Sequence, residues 1–214
     1  MKVTKYEHSF LVIEEQGKQL MIDPDSFMDS LPDNLHNVVG IIVTHVHPDH
    51  LNEEYLKSIQ RDNPEAPLYT TAEAAKELKE VKAKTVTGGD KAQIGPFNVR
   101  FLGGQHAIIH PSWPVFQNVG VMVNETLYDP GDSFVKPDAK VKLLCLPVSA
   151  PWLKISEAMD FYRDVKPTAA IPMHNALLSE IGQNLTDMII GQVASDIGSS
   201  YKSLKPGESL EIKV

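Results

Sequence analysis

Short apolar runs, rather than long periodic ones, set the pattern of the first half of the chain. Phe10-Leu11-Val12-Ile13 and Leu20-Met21-Ile22 lie either side of Gln16-Gly17, which predicts two strands over residues 3–15 and 18–23 joined as a hairpin. Residues 26–37 show no period and read as a loop, with His36 exposed in it. The run Gly40-Ile41-Ile42-Val43 closes a buried strand over residues 38–43. Leu51, Tyr55, Leu56 and Ile59 then recur at helical spacing, and Pro64 and Pro67 end that helix. Leu68-Tyr69-Thr70 reads as a short strand. A second helix is expected over residues 71–80, with Ala74, Ala75 and Leu78 as a narrow apolar stripe and Glu73, Lys76, Glu77, Lys79 and Glu80 as a solvated face.

The second half repeats this grammar. Strands are expected at 85–87 and 98–102, parted by the turn formers Gly88-Gly89-Asp90 and Gly95-Pro96, and a hairpin-like pair at 119–124 and 126–128. The nearly continuous apolar run 141–148 predicts a strand buried on both faces, with Cys145 as a small core residue. An amphipathic helix follows at 155–165 and stops at Pro167; a short strand over 169–175 ends in His174. Ile181, Leu185, Met188, Ile189 and Val193 predict a helix over 179–195, and Leu210, Ile212 and Val214 alternate as in a last strand. Two similar halves are implied, each of strands followed by helix.

At 214 residues with 42% hydrophobic content, the chain can bury a substantial core, and one domain over 1–214 is expected. A net charge of -8 argues against a nucleic-acid partner, since phosphate binding needs clustered Lys and Arg. A single cysteine excludes an intramolecular disulfide and agrees with a reducing interior. There is no apolar leader at Met1-Lys2-Val3-Thr4 and no window of about 18 apolar residues, so a cytoplasmic protein without a membrane segment is expected.

The chemistry concentrates in Thr44-His45-Val46-His47-Pro48-Asp49-His50, directly after the strand at 38–43. In extended chain, residues two apart point the same way, so His45 and His47 can offer imidazoles to one metal. Pro48 turns the chain, and Asp49 and His50 aim at a neighbouring point. Imidazole and carboxylate suit zinc, iron, manganese or nickel, and no cysteine is offered here. His8 reads as a hydrogen-bonded sheet histidine, with a role beside a metal site as the alternative. Asp23, before Pro24, reads as a turn residue, with the orienting of a ligand histidine as its alternative.

His-x-His-x-Asp-His after an apolar strand resembles the signature of the metallo-β-lactamase-fold hydrolases. The surrounding text, with Tyr6-Glu7-His8-Ser9 before an apolar strand and Ile22-Asp23-Pro24 after the next, most resembles the ascorbate-6-phosphate lactonase-like branch. The resemblance implies an α/β fold, the four-layer αββα sandwich. It also implies that His106, after Gly103-Gly104-Gln105, joins His45 and His47 on a first metal, with His110 as its competitor. Asp132 of Gly131-Asp132-Ser133 looks like the aspartate that bridges two metals, while Asp129 is set aside as a turn residue. His174 of Pro172-Met173-His174 resembles the closing element, completing a second set with Asp49 and His50.

The activity implied is that of a metal-dependent hydrolase, in which a hydroxide shared by two divalent ions, Zn2+ foremost with Mn2+, Fe2+ or Ni2+ as alternatives, attacks a small ester, lactone or phosphoester. Asp49 is the expected catalytic carboxylate, besides being a ligand. The substrate is expected to be a small anionic molecule, with His110 and Trp113 lining a substrate wall or simply packing a loop. Relatives with this fold also form homo-oligomers. Alternatives are a di-iron redox protein, a phosphodiesterase acting on a nucleotide-type substrate, or a scaffold that has kept the fold without the chemistry.

Overall fold

A computed structural model describes residues 1–213; Val214, which was expected to close the last strand, lies outside the described residues. Two sheets carry the molecule. The first contains β1 (Lys2–Lys5), β2 (Leu11–Glu15), β3 (Lys18–Ile22), β4 (Val38–Val43), β5 (Leu68–Thr70) and β6 (Ala83–Thr85). The second contains β7 (Lys91–Ile94), β8 (Phe97–Leu102), β9 (Gly120–Val123), β10 (Leu127–Asp129), β11 (Leu143–Pro147), β12 (Ala169–Met173) and β13 (Ser200–Tyr201). The last strand, β14 (Ser209–Glu211), returns to the first sheet, giving the orders β14-β1-β2-β3-β4-β5-β6 and β13-β12-β11-β10-β9-β8-β7.

Each sheet runs antiparallel through its first four strands and parallel through the rest: β14 to β3 and β7 to β10 pair antiparallel, β3 to β6 and β10 to β13 parallel. The two halves suspected from the order of elements are therefore alike in topology. Helices α1 (Glu53–Asp62) and α2 (Ala72–Glu77) belong to the first half, α3 (Ile155–Val165) and α4 (Glu180–Asp196) to the second.

Strand period dictates the layers, because successive side chains leave opposite faces. Leu11 and Ile13 of β2, Leu20 and Ile22 of β3, and Ile42 of β4 enter a central core with Phe101, Val121, Leu143 and Cys145 of the second sheet. Phe10, Val12, Met21, Ile41 and Val43 face outward onto Leu56 and Ile59 of α1. Met122, Leu144 and Leu146 likewise meet Ala158, Phe161 and Tyr162 of α3 and Ile190 and Val193 of α4. Central strands covered on both faces read as unbroken apolar runs for this reason. The result is an αββα sandwich. Gly40 permits the close approach of the sheets, since a Cβ there would run into Ile94 of the second sheet. No helix among the described residues is long and apolar enough to cross a membrane.

Several expectations need correction. The strand over 3–15 is two antiparallel strands, because a turn closed by the Tyr6 N–H to Phe10 carbonyl bond (2.9 Å) breaks it and carries His8. Lys5 is buried, its Nζ donating to the carbonyls of Tyr6 (2.9 Å) and Glu7 (2.6 Å) in that turn. The strand expected at 85–87 lies at 83–85, and β7 was hidden by its polar residues. The second helix is confined to Ala72–Glu77 behind its Thr71 cap. In α4 the stripe Ile181, Leu185 and Met188 faces solvent, whereas Ile190, Val193 and Ala194 pack on the sheet.

The inter-sheet core predicts its own response to truncation. Phe101, 1% exposed and facing Tyr69 of the first sheet at 6.2 Å between ring centroids, should lose about 3–5 kcal/mol of stability as Phe101→Ala. Urea unfolding followed by circular dichroism checks this; a loss below about 1 kcal/mol would mean that the sheets do not depend on that contact.

Candidate metal centre

The candidate side chains leave the carboxyl ends of strands in both sheets: Asp23 after β3, His45 after β4, His106 after β8, Asp132 after β10 and His174 after β12. Strand ends in such sheets form crevices, because the chain must turn there and its side chains converge.

On the first sheet, Asp23 sits at φ 51° and is buried. Its Oδ1 accepts the Thr44 backbone N–H at 2.7 Å, its Oδ2 the Thr44 hydroxyl at 2.7 Å, and His50 Nδ1 lies 2.6 Å from the same Oδ2. Asp23 is thus no mere turn former. It ties β3 to the end of β4 and aims the His50 ring. The His47 carbonyl accepts the N–H groups of His50 (3.0 Å) and Leu51 (2.9 Å), so the turn begun by Pro48 sends His50 back toward His45, 4.0 Å between ring centroids, and Asp49 toward His8 and His174.

On the second sheet, His106 donates its backbone N–H to the Phe116 carbonyl at 2.9 Å and Ala107 donates to the Asp132 carbonyl at 2.8 Å. The Asp132 N–H is held by Asn118 Oδ1 at 3.0 Å. Gly131, at φ 56°, precedes it, and any Cβ there would strike Asn118 and crowd Thr44. His174, at φ 63°, donates its N–H to the His8 carbonyl at 3.0 Å, which joins the two sheets across the crevice.

These placements bring His45, His47, His106 and Asp132 into one group whose ligand atoms all lie within 4.8 Å of one another, and His50, Asp132 and His174 into a second. Asp132 belongs to both. Its Oδ2 is 3.1 Å from His106 Nε2 and its Oδ1 is 2.8 Å from His174 Nε2 and 3.2 Å from His50 Nε2. Asp49 stands in a third group, with His8 and His174, so the expected set of Asp49, His50 and His174 arrives as two groups sharing His174.

His8 is buried in the turn before β2, and neither ring nitrogen has a hydrogen-bond partner among the described residues. That departs from a hydrogen-bonded sheet histidine. His110 is exposed and bonds Ser112 Oγ at 2.7 Å, apart from these groups. Asp129 accepts the Gly131 N–H at 3.0 Å, as a turn residue does, and burial together with nearby Asp23 pushes its carboxyl up to about 7. Trp113 is 59% exposed.

Trp152 was missed. Its indole N–H donates to Asp132 Oδ2 at 2.7 Å, from the segment between β11 and α3, and Phe134 meets its ring edge-on. Asn118 was missed too. Nothing local marks either residue, since Trp152 acts on the Asp132 carboxylate and Asn118 on the Asp132 backbone N–H and the Pro130 carbonyl, each more than ten positions away.

Burial, with His50 beside it, holds His45 well below the usual imidazole range, and burial with His106 beside it lowers His47. Both therefore keep a lone pair free for a cation. Burial opposes ionisation of Asp132, yet His174 and His50 hold it well below the carboxylate range. Burial also opposes the charge on His50, but Asp132 and Asp23 raise it well above its ordinary value, so it carries the positive charge this cluster of carboxylates demands. Asp132 Oδ1 is buried and faces His174 Nε2 and His50 Nε2 without meeting hydrogen-bond geometry to either, so it is an atom a cation would satisfy. The nitrogen and oxygen donors fit zinc, manganese, iron or nickel.

The chain is similar to several known proteins. The family described as Beta-lactamase superfamily domain matches residues 2–174. The protein Rv0786c of Mycobacterium tuberculosis is 36% identical over 184 residues, covering 84% of this chain and 86% of the relative. A UPF0173 metal-dependent hydrolase of Carboxydothermus hydrogenoformans is 26% identical over 228 residues, covering 97% and 98%. Among solved structures, Igni18, a metallo hydrolase from Ignicoccus hospitalis, superposes with a TM-score of 0.75 at 20% identity, over 99% of each chain.

The role of Asp23 can be measured directly. Asp23→Ala leaves His50 buried with only one of its two carboxylate partners, and Thr44 without its acceptor, and should cost about 3–5 kcal/mol in urea unfolding. Thr44→Val, which removes one hydroxyl bond to the same carboxylate, should cost about 1 kcal/mol. Equal, small losses would return Asp23 to the status of a turn residue.

Proposed function

The chain belongs to the beta-lactamase superfamily and is a metal-dependent hydrolase of that superfamily, and from this premise we propose that it cleaves a small ester, lactone or phosphoester with two divalent cations held at the crevice. The residues that would hold them are His45, His47, His106 and Asp132 for one, and Asp49, His50, Asp132 and His174 for the other. The observation that carries this is Asp132, whose two oxygens face different groups of histidines. Such a pair, when bound, supplies a hydroxide at neutral pH and a Lewis acid for the oxygen of the scissile bond.

The protein's own residues do the rest. Asp49, despite burial, is held ionised below the carboxylate range by His8 beside it and by His50 and His174, so it is a carboxylate able to ligate a cation and to orient the attacking water by accepting a hydrogen bond from it. Trp152 and His106 fix one oxygen of Asp132, which keeps that carboxylate from rotating. The excursion between His106 and Phe116 carries the exposed side chains Ile108, Trp113 and Val115, and Phe116 packs edge-on against His47 at 4.8 Å between ring centroids. This apolar rim supports a wall role for Trp113.

A small anionic substrate is favoured over a nucleic acid. The net charge is -8, and Arg100 is engaged by Glu125 and Asp138 and Lys136 by Asp164. The negative group would meet the cations rather than a basic surface. Zn2+ is the ion we favour among those that the imidazole and carboxylate donors suit, Mn2+, Fe2+ and Ni2+ being the others.

Protein purified without chelator should contain two equivalents of divalent metal by elemental analysis. In a screen of lactones, nitrophenyl esters and bis(nitrophenyl) phosphate it should hydrolyse at least one class in a metal-dependent way, and turnover of none would overturn the reading. Bound iron with oxygen turnover would favour the redox alternative, and absence of metal the scaffold. Asp49→Ala, with its metal content confirmed, should lower kcat by about 10²–10⁴; unchanged kcat would remove Asp49 from the chemistry.

A further inference from the structure

The third ligand group contains a residue that the metal-holding set above leaves unused. His8 is 0% exposed, and both its ring nitrogens are buried without a hydrogen-bond partner among the described residues. A buried imidazole in that condition is unfavourable, because its nitrogens have given up water for nothing. What surrounds it is specific. Its Nε2 lies 3.4 Å from Asp49 Oδ2 without meeting hydrogen-bond geometry. Its ring lies over that of His174 at 4.2 Å between centroids with 30° between planes, and its carbonyl accepts the His174 N–H at 3.0 Å. Phe27 covers the other side at 4.7 Å.

The neighbouring turn contributes as well. The Ser9 hydroxyl reaches the Asp49 carbonyl, and the Ser9 N–H donates to Asp25 Oδ2 at 3.1 Å, where Asp25 is fully buried. The segment His8-Ser9 therefore holds Asp49 by its backbone and places an imidazole beside its carboxylate. That segment exists because β1 and β2 are separate strands.

We infer that His8 is a positioning residue for the second cation: its Nε2–H engages the Asp49 oxygen that is not spent on the metal, while its ring and carbonyl fix His174. The inference rests on the two-cation reading of the crevice and adds an eighth side chain to it. A hydrogen bond across this 3.4 Å approach, once its geometry is met, is charge-assisted. Partners of this kind orient ligands, and their loss weakens metal binding by about 10- to 100-fold.

Packing and hydrogen bonding are separated by choice of variant. His8→Phe keeps a flat ring between Phe27 and His174 but has no donor; His8→Gln keeps a donor on a flexible stem. Zn2+ binding is read by competition with a chromophoric chelator, and Co2+ absorption reports the coordination of each site. Wild-type protein should bind two equivalents. His8→Phe should keep the first equivalent within about twofold, bind the second about 10- to 100-fold more weakly and change only one of the two Co2+ signatures. His8→Gln should recover part of the loss. In an Asp49→Asn background, His8→Phe should have little further effect, as expected of a residue acting through Asp49.

If His8→Phe does not fold, His8→Met, which also lacks a donor, takes its place with the same expectation. Two equivalents bound by the donor-less variant as tightly as by wild type would overturn the role of His8 and leave the two-cation reading standing. Fewer than two equivalents on the wild type would overturn the two-cation reading itself, and this inference with it.

Discussion

A buried carboxylate must be compensated or it will not stay ionised, and Asp132 is where this protein meets that constraint. It is 3% exposed, and His50, His106, His174 and Trp152 supply its partners from both halves of the chain. In a low-dielectric setting such contacts are strong, and each missing one is correspondingly unfavourable. The geometry of the crevice follows from satisfying that single group. His50 can face Asp132 only because Asp23 holds its far nitrogen, and Asp132 can turn inward only because Gly131 takes a left-handed conformation beside Asn118 and Thr44.

This explains why two sheets are needed. Neither half carries a complete set of donors: the first brings His45, His47, Asp49 and His50, the second His106, Asp132 and His174. The central core of Leu11, Ile13, Ile42, Phe101 and Leu143 fixes the sheets against each other, so strand ends that are far apart in sequence meet at one edge. Hydrogen bonds also cross the seam there, from His174 to the His8 carbonyl and from Val119 to the Thr44 carbonyl at 3.1 Å. Apolar packing thus sets the separation of the halves, and polar contacts at the rim set their register.

What could be read in advance was whatever short-range chemistry dictates. The strand 38–43 announces itself by an apolar run, and three histidines and an aspartate within six positions after it have few structural excuses. Asp132 and His174 were legible only through resemblance, since Gly-Asp-Ser and Pro-Met-His are weak signals alone. Asp23, Trp152 and Asn118 work through contacts across sheets or between distant segments, which no local pattern encodes. The split between β1 and β2 was hidden because Tyr6-Glu7-His8-Ser9 can alternate as a strand does; tertiary demand on His8 and Ser9 overrides that propensity. The Ile181, Leu185 and Met188 stripe misled for the opposite reason: it has helical period but its face is not the one that packs.

The same constraint links metal to stability. Five imidazoles and two carboxylates are gathered at one edge, and the close approach of His50 Nε2 to His174 Nε2 at 2.7 Å places two ring nitrogens on one small space. A proton on His50 balances Asp132 and Asp23 in the absence of a cation. A divalent ion would supply more charge at the same place and release that proton, so ion uptake would be coupled to pH and would add its binding free energy to folding. The arrangement is therefore one in which the cation completes a buried network that the sandwich already holds nearly in place. Fold and site are selected by the same requirement, because the strand ends that close the core are also the ones that deliver ligands to Asp132.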